Sequence, residues 1–127
     1  MLVILKLRVF ARWALQEGVT DAALCRAVTE IESGLVDARL GGFLLKQRVA
    51  RRGEGKSGGF RTILAHRQGE RVVFLYGFAK GERANIDDRE RRVLLTLGGQ
   101  YMDYDAALLD DLVARHVVLR VVCDGQG

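Results

Sequence analysis

The chain predicts an α+β fold, a largely antiparallel twisted sheet with helices gathered against one face, and three observations carry the prediction. Helical and extended periodicities are segregated along the chain, in the order strand, two helices, three strands, two helices, strand. Two of the extended segments, "FRTILAHR" and "RVVFLYGFAK", are joined by "QGE", short enough for a hairpin. The second of them is apolar on both sides, as a strand in the middle of a sheet should be.

Taken in order, "MLVILKL" is too short an apolar stretch for a signal peptide and reads as a first strand. "RVFARWALQEG" sets Val9, Phe10, Trp13 and Leu15 at roughly helical spacing, with Gly18 as its stop. "TDAALCRAVTEIESG" begins on Thr20, a good N-cap, and repeats Leu24, Ala27, Val28 and Ile31 at steps of three and four before Gly34 ends it. From Gly42 the period changes, and "FLLKQRVARR" puts Lys46 and Arg48 on one side of a strand, because successive side chains alternate. "GEGKSGG", residues 53–59, reads as a glycine loop. Residues 87–97 and 104–115 return to helical spacing, with Asp87 and Asp105 as N-terminal signals, and "HVVLRVVC" is expected to be a last strand.

The 127 residues suit one domain, 1–127, with enough apolar content for a core of its own. The longest apolar runs fall far short of a membrane span, so a cytoplasmic protein is expected. Cys25 and Cys123 show neither metal-ligand spacing nor a disulfide framework, and buried free thiols are the expectation. His66 and His116 lie far apart without carboxylates at ligand spacing, so no metal site or nucleophilic triad is expected. The formal charge of +4 is unevenly spread: residues 44–92 carry thirteen cations against six anions, and the last third is acidic. Sixteen of the twenty cations are arginine, whose planar fork matches phosphate oxygens two at a time. An extended anionic ligand lying across an open sheet face is the binding mode this distribution suggests.

"RVARRGEGKSGGFRTILAHRQGERVVFLYGFAKGERANID", with the two leading helices before it, resembles the RelE-like branch of the RelE/ParE superfamily, bacterial toxins of type II toxin–antitoxin pairs. The likeness extends over about residues 5–124. It implies an mRNA endoribonuclease, commonly acting in the ribosomal A site, that uses no cofactor and lets the ribose 2′-hydroxyl attack. Carried over residue by residue, the catalytic cations fall on Lys46, Arg48, Arg61, Lys80 and Arg83, with Lys46 or Lys80 assisting proton transfer. RNA contacts are expected at Arg51, Arg52, Lys56 and Asn85. The position of the usual catalytic arginine is Gly81 here, and that of the usual tyrosine is Asp87. The resemblance also implies a cognate antitoxin with a helix-turn-helix domain, and a homodimer or toxin–antitoxin hetero-oligomer. Two alternatives stand beside the nuclease: a ParE-like inhibitor of a DNA topoisomerase, and an inactive relative that binds RNA or its antitoxin.

Overall fold

A six-stranded sheet in the order β2-β3-β4-β5-β1-β6 organises the computed structural model, which describes residues 2–50 and 59–123. The elements are β1 (Val3–Leu7), α1 (Arg8–Glu17), α2 (Asp21–Glu32), β2 (Ala38–Gly41), β3 (Leu44–Val49), β4 (Phe60–Arg67), β5 (Arg71–Ala79), α3 (Asp88–Asp103), α4 (Ala106–Ala114) and β6 (Val118–Arg120). Only the β1–β5 pair is parallel; the other four are antiparallel. Arg51, Arg52 and Lys56 lie outside the described residues. Among the described residues no helix is long and apolar enough to cross a membrane.

The helix ends follow the local chemistry of the sequence. Gly18 stops α1 in the left-handed conformation at φ 75°. Thr20 accepts from the Ala23 amide and Asp105 from the Leu108 amide. Asp87 and Glu90 form a reciprocal capping box at the start of α3.

Four features depart from expectation. A short strand, β2, precedes β3, and the last strand is only three residues long. In α1 the buried residues are Phe10 and Ala14, while Val9 and Leu15 are exposed. The helices do not share one face of the sheet. The Phe10 ring packs 5.3 Å from Phe74, and Trp13 lies on Gly77 so closely that a Cβ there would fall 2.2 Å from the indole. α3 takes the opposite face, where Gly98 brings its backbone onto Ala65 and Leu75. The reason is in β5 itself, where seven of nine residues are buried: a strand apolar on both sides needs cover on both.

The fourth departure is covalent. Cys25 and Cys123 form a disulfide, with Cα atoms 5.8 Å apart and 98 residues between them in the chain, in place of the free thiols expected. Folding lays the segment after β6 against α2, a proximity that spacing in the sequence does not express.

Candidate RNA-binding face

The ladder registers decide which side chains share a face. Arg48 stands opposite Arg61, and Arg61 opposite Phe78; Lys46 stands opposite Ile63, and Ile63 opposite Tyr76. Alternation along β3 puts Lys46 and Arg48 on the same side, so both rows belong to one face. An extra residue in β5 between Phe74 and Tyr76 matters here. The register shift between Ile63 and Leu64 swaps the side from which β5 side chains emerge, which brings Tyr76 and Phe78 onto the face of the cations. α3 covers the far end of that face, and the near end holds Lys46, Arg48, Arg61, Tyr76 and Arg83.

Opposite residues in such a ladder have Cβ atoms about 5 Å apart, and like charges placed so repel. Arg48 is partly relieved by Asp37, whose carboxylate sits 3.3 Å from Nη2 and, chiefly through that hydrogen bond, holds the guanidinium above its ordinary pKa. Arg61 has no such relief. Its Nη1 is buried and without a hydrogen-bond partner, and no ion pair joins Lys46 to a carboxylate among the described residues.

Arg83 is differently placed from the phosphate clamp expected. Its Nε donates to the Asn85 carbonyl at 3.0 Å, Nη1 to Glu90 at 2.9 Å and to the Tyr76 hydroxyl at 3.4 Å, and Nη2 to Glu90 at 2.5 Å. Four of its five N–H donors are engaged, and the guanidinium lies 5.7 Å above the Phe78 ring. Glu90, held low by Arg83 and by the Asp87 amide, in turn keeps Arg83 charged. Arg83 therefore ties the exit of β5 to the first turn of α3. Lys80 is exposed in the turn after β5. Asn85 is exposed too, and its side chain accepts from the Ile86 amide. Asp87, where the sequence resemblance leads one to expect a tyrosine, is occupied as the N-cap of α3.

Tyr76, Glu90 and Arg91, whose Nη1 donates to the Leu40 carbonyl at 3.2 Å, border the face and were not singled out by sequence reasoning. For Tyr76 the hydroxyl on an otherwise apolar strand was the available signal, hidden by the bulge. His66, expected to be at the surface or half-buried, is half-buried and sits 2.7 Å from Glu32 on the opposite side of the sheet. Among the described residues no three His, Cys, Asp or Glu side chains are grouped to hold a metal ion.

The family model described as the RelE toxin of the RelE / RelB toxin-antitoxin system matches residues 2–121. The chain belongs to the RelE toxin family. It is thus the toxin of a toxin–antitoxin pair, and the family implies an antitoxin as its partner. No curated protein matches the toxin's sequence. The α+β architecture with its open, mostly antiparallel sheet agrees with that membership, and the cationic face is the part of the toxin built from the segment that carried the resemblance.

Proposed function

We propose that the toxin cleaves messenger RNA, with Lys46, Arg48 and Arg61 as the cations that hold the scissile phosphate. The observation that carries this reading is Arg61: a buried guanidinium nitrogen without a partner, directly opposite a second arginine and diagonal to a lysine. Such a cluster is costly in the free protein, and an anion between the three heads offsets that cost.

RNA brings its own nucleophile. The 2′-oxygen forms a bond to the adjacent phosphorus, the bond from phosphorus to the 5′-oxygen breaks, and the proton lost from the 2′-hydroxyl is balanced by one gained at the 5′-oxygen. The protein has to hold these atoms in line and stabilise the charge growing on the non-bridging oxygens. Arg61 and Arg48 are suited to the second task by their forked donors, Lys46 by its point charge. The products are a 2′,3′-cyclic phosphate and a 5′-hydroxyl end.

The test is cleavage of a defined mRNA, free and on ribosomes, with product ends identified by mass. A single 2′-deoxy nucleotide at the cleavage position is expected to abolish the cut, and continued cutting there would exclude the mechanism. A second reading, inhibition of a DNA topoisomerase without catalysis, is favoured by Gly81, Asp87 and the engagement of Arg83 with Glu90. Loss of supercoiling activity with mRNA left intact distinguishes it.

A further inference from the structure

β5 outruns its neighbour. β1 pairs with it only as far as Lys6 opposite Phe74, and the chain then enters α1 at Arg8, whereas β5 continues to Ala79. The ladder tells which backbone groups meet the vacated edge. The Val3 amide donates to the Glu70 carbonyl, so Glu70, Val72 and Phe74 present their polar groups to β1. The extra residue in β5 shifts the alternation by one, so that Gly77 and Ala79 turn theirs the same way. Ala79 agrees: its amide donates to the Glu82 carboxylate at 3.0 Å and its carbonyl accepts from the Glu82 amide at 3.0 Å. Gly77 is left with an N–H and a C=O facing an edge that has no strand beside it.

That edge opens into a slot of about 530 Å³ between α1 and β5. Trp13 lines it on the α1 side, Tyr76, Phe78 and Arg83 on the other, with Gln16 and Glu17 also contributing. Gly77 is itself buried beneath Trp13 but lines the slot. Glu82 already closes Ala79, and the single donor–acceptor pair at Gly77 is too little for a partner strand, which needs a ladder of several. It suits a nucleobase, which carries neighbouring donors and acceptors on its edge and an apolar face for aromatic rings. Phe78 stands directly opposite Arg61, so the slot begins one strand spacing, about 5 Å, from the cationic row. That spacing is comparable to the reach from phosphate to base within one nucleotide.

We propose that this slot takes the base adjoining the phosphate held by Lys46, Arg48 and Arg61, that Gly77 pairs with its edge, and that Gln16 and Glu17 decide which base is preferred. The proposal rests on the RNA-cleavage reading. Trp13 is the sole tryptophan and reports on the slot directly. The probes are the four nucleoside 3′-monophosphates, ribose 5-phosphate and inorganic phosphate, each titrated into the full chain and each tested in competition with a labelled RNA. All are expected to compete, but only the nucleotides shift the Trp13 emission, with roughly a tenfold spread in Kd among bases. Combining Gln16→Ala with Glu17→Ala should collapse that spread and leave inorganic phosphate binding unchanged, while Arg61→Ala weakens every probe alike. The slot proposal is overturned if phosphate alone moves the Trp13 emission as nucleotides do, or if the double variant keeps the base ranking while Arg61→Ala still abolishes binding. If Arg61→Ala alters neither binding nor cleavage, the RNA reading itself falls, and the slot with it.

Discussion

Two arginines on the same face of the sheet have opposite fates. Arg71, only 8% exposed, donates to the carbonyls of Tyr101, Met102 and Tyr104 and so closes the C-terminal end of α3. Arg71 leaves only its Nε buried without a partner, whereas Arg61 has a buried Nη1 with nothing to bond and no carbonyl or carboxylate to compensate among the described residues. Replacing each by methionine, which keeps the apolar stem, should therefore move stability in opposite directions. Arg71→Met strands three carbonyls and is expected to cost about 2 kcal/mol in chemical denaturation. Arg61→Met removes a like-charge contact and an unsatisfied donor, so its denaturation midpoint should be unchanged or raised while RNA binding is lost, as at other sites where function opposes stability. A clear drop in stability for Arg61→Met would mean that the guanidinium holds the fold together instead. Glu32 supplies a pH dependence. Burial alone would raise its carboxyl, but the hydrogen bond from His66, the Gly69 amide and the His66 charge together outweigh that and hold it below the usual carboxylate value. The folded value is the lower of the two, so the Glu32 contribution is complete above the unfolded pKa of about 4.3 and disappears as pH falls through the folded one. Urea midpoints measured from pH 6 downward should thus fall less steeply in Glu32→Gln than in the parent.

At the scale of elements, α3 is where helix chemistry and the candidate site meet. Asp87 caps it, Glu90 completes the capping box, and the same Glu90 carboxylate grips Arg83 at the exit of β5. Asp87→Ala should cost about 1 kcal/mol and lower the Tm by roughly 4 °C. Asp87→Tyr, which restores the residue the family resemblance places there, should pay the same penalty, and Asp87→Asn should not. A tyrosine variant as stable as the parent would show that the cap is dispensable. The helix ends were legible from the sequence because caps act within three or four residues; Thr20, Asp87, Asp105 and Gly18 all do what their neighbourhood dictates. Alternation alone pairs Lys46 with Arg48, while Arg61 joins them through the family resemblance, because the β3–β4 register that sets it opposite Arg48 is not written in any short turn. The face taken by α3 could not be read from the sequence, because the contact is made at Gly98, a residue with no apolar signal, which is there to let Phe43, Ala65 and Leu75 come close. Nor could Tyr76, since one additional residue in β5 reverses the parity that alternation arguments assume.

For the whole molecule, the decisive contact is the most distant one in sequence. β6 covers the outer edge of β1, pairing Leu5 with Arg120 and Leu7 with Val118, and the segment beyond it is fastened to α2 twice. The Val122 amide donates to Asp21 at 2.9 Å, the carboxylate that also receives Lys6 at 2.7 Å, and Cys123 is bonded to Cys25. A cross-link closing so long a loop removes much of the freedom of the unfolded chain, and in the chain-entropy description such a bridge stabilises by about 4 kcal/mol, less any strain. Without it, a three-residue strand has to hold the end of the sheet on its own, and a freed β1 edge offers unpaired backbone groups to another chain. Reductant should therefore lower the Tm of the parent by roughly 15 °C and increase self-association on sizing columns. Cys25→Ser combined with Cys123→Ser should show the lower Tm from the start and be indifferent to reductant. Equal melting of parent and double variant, with and without reductant, would mean that packing of β6 and the Asp21 contacts alone secure the end of the chain.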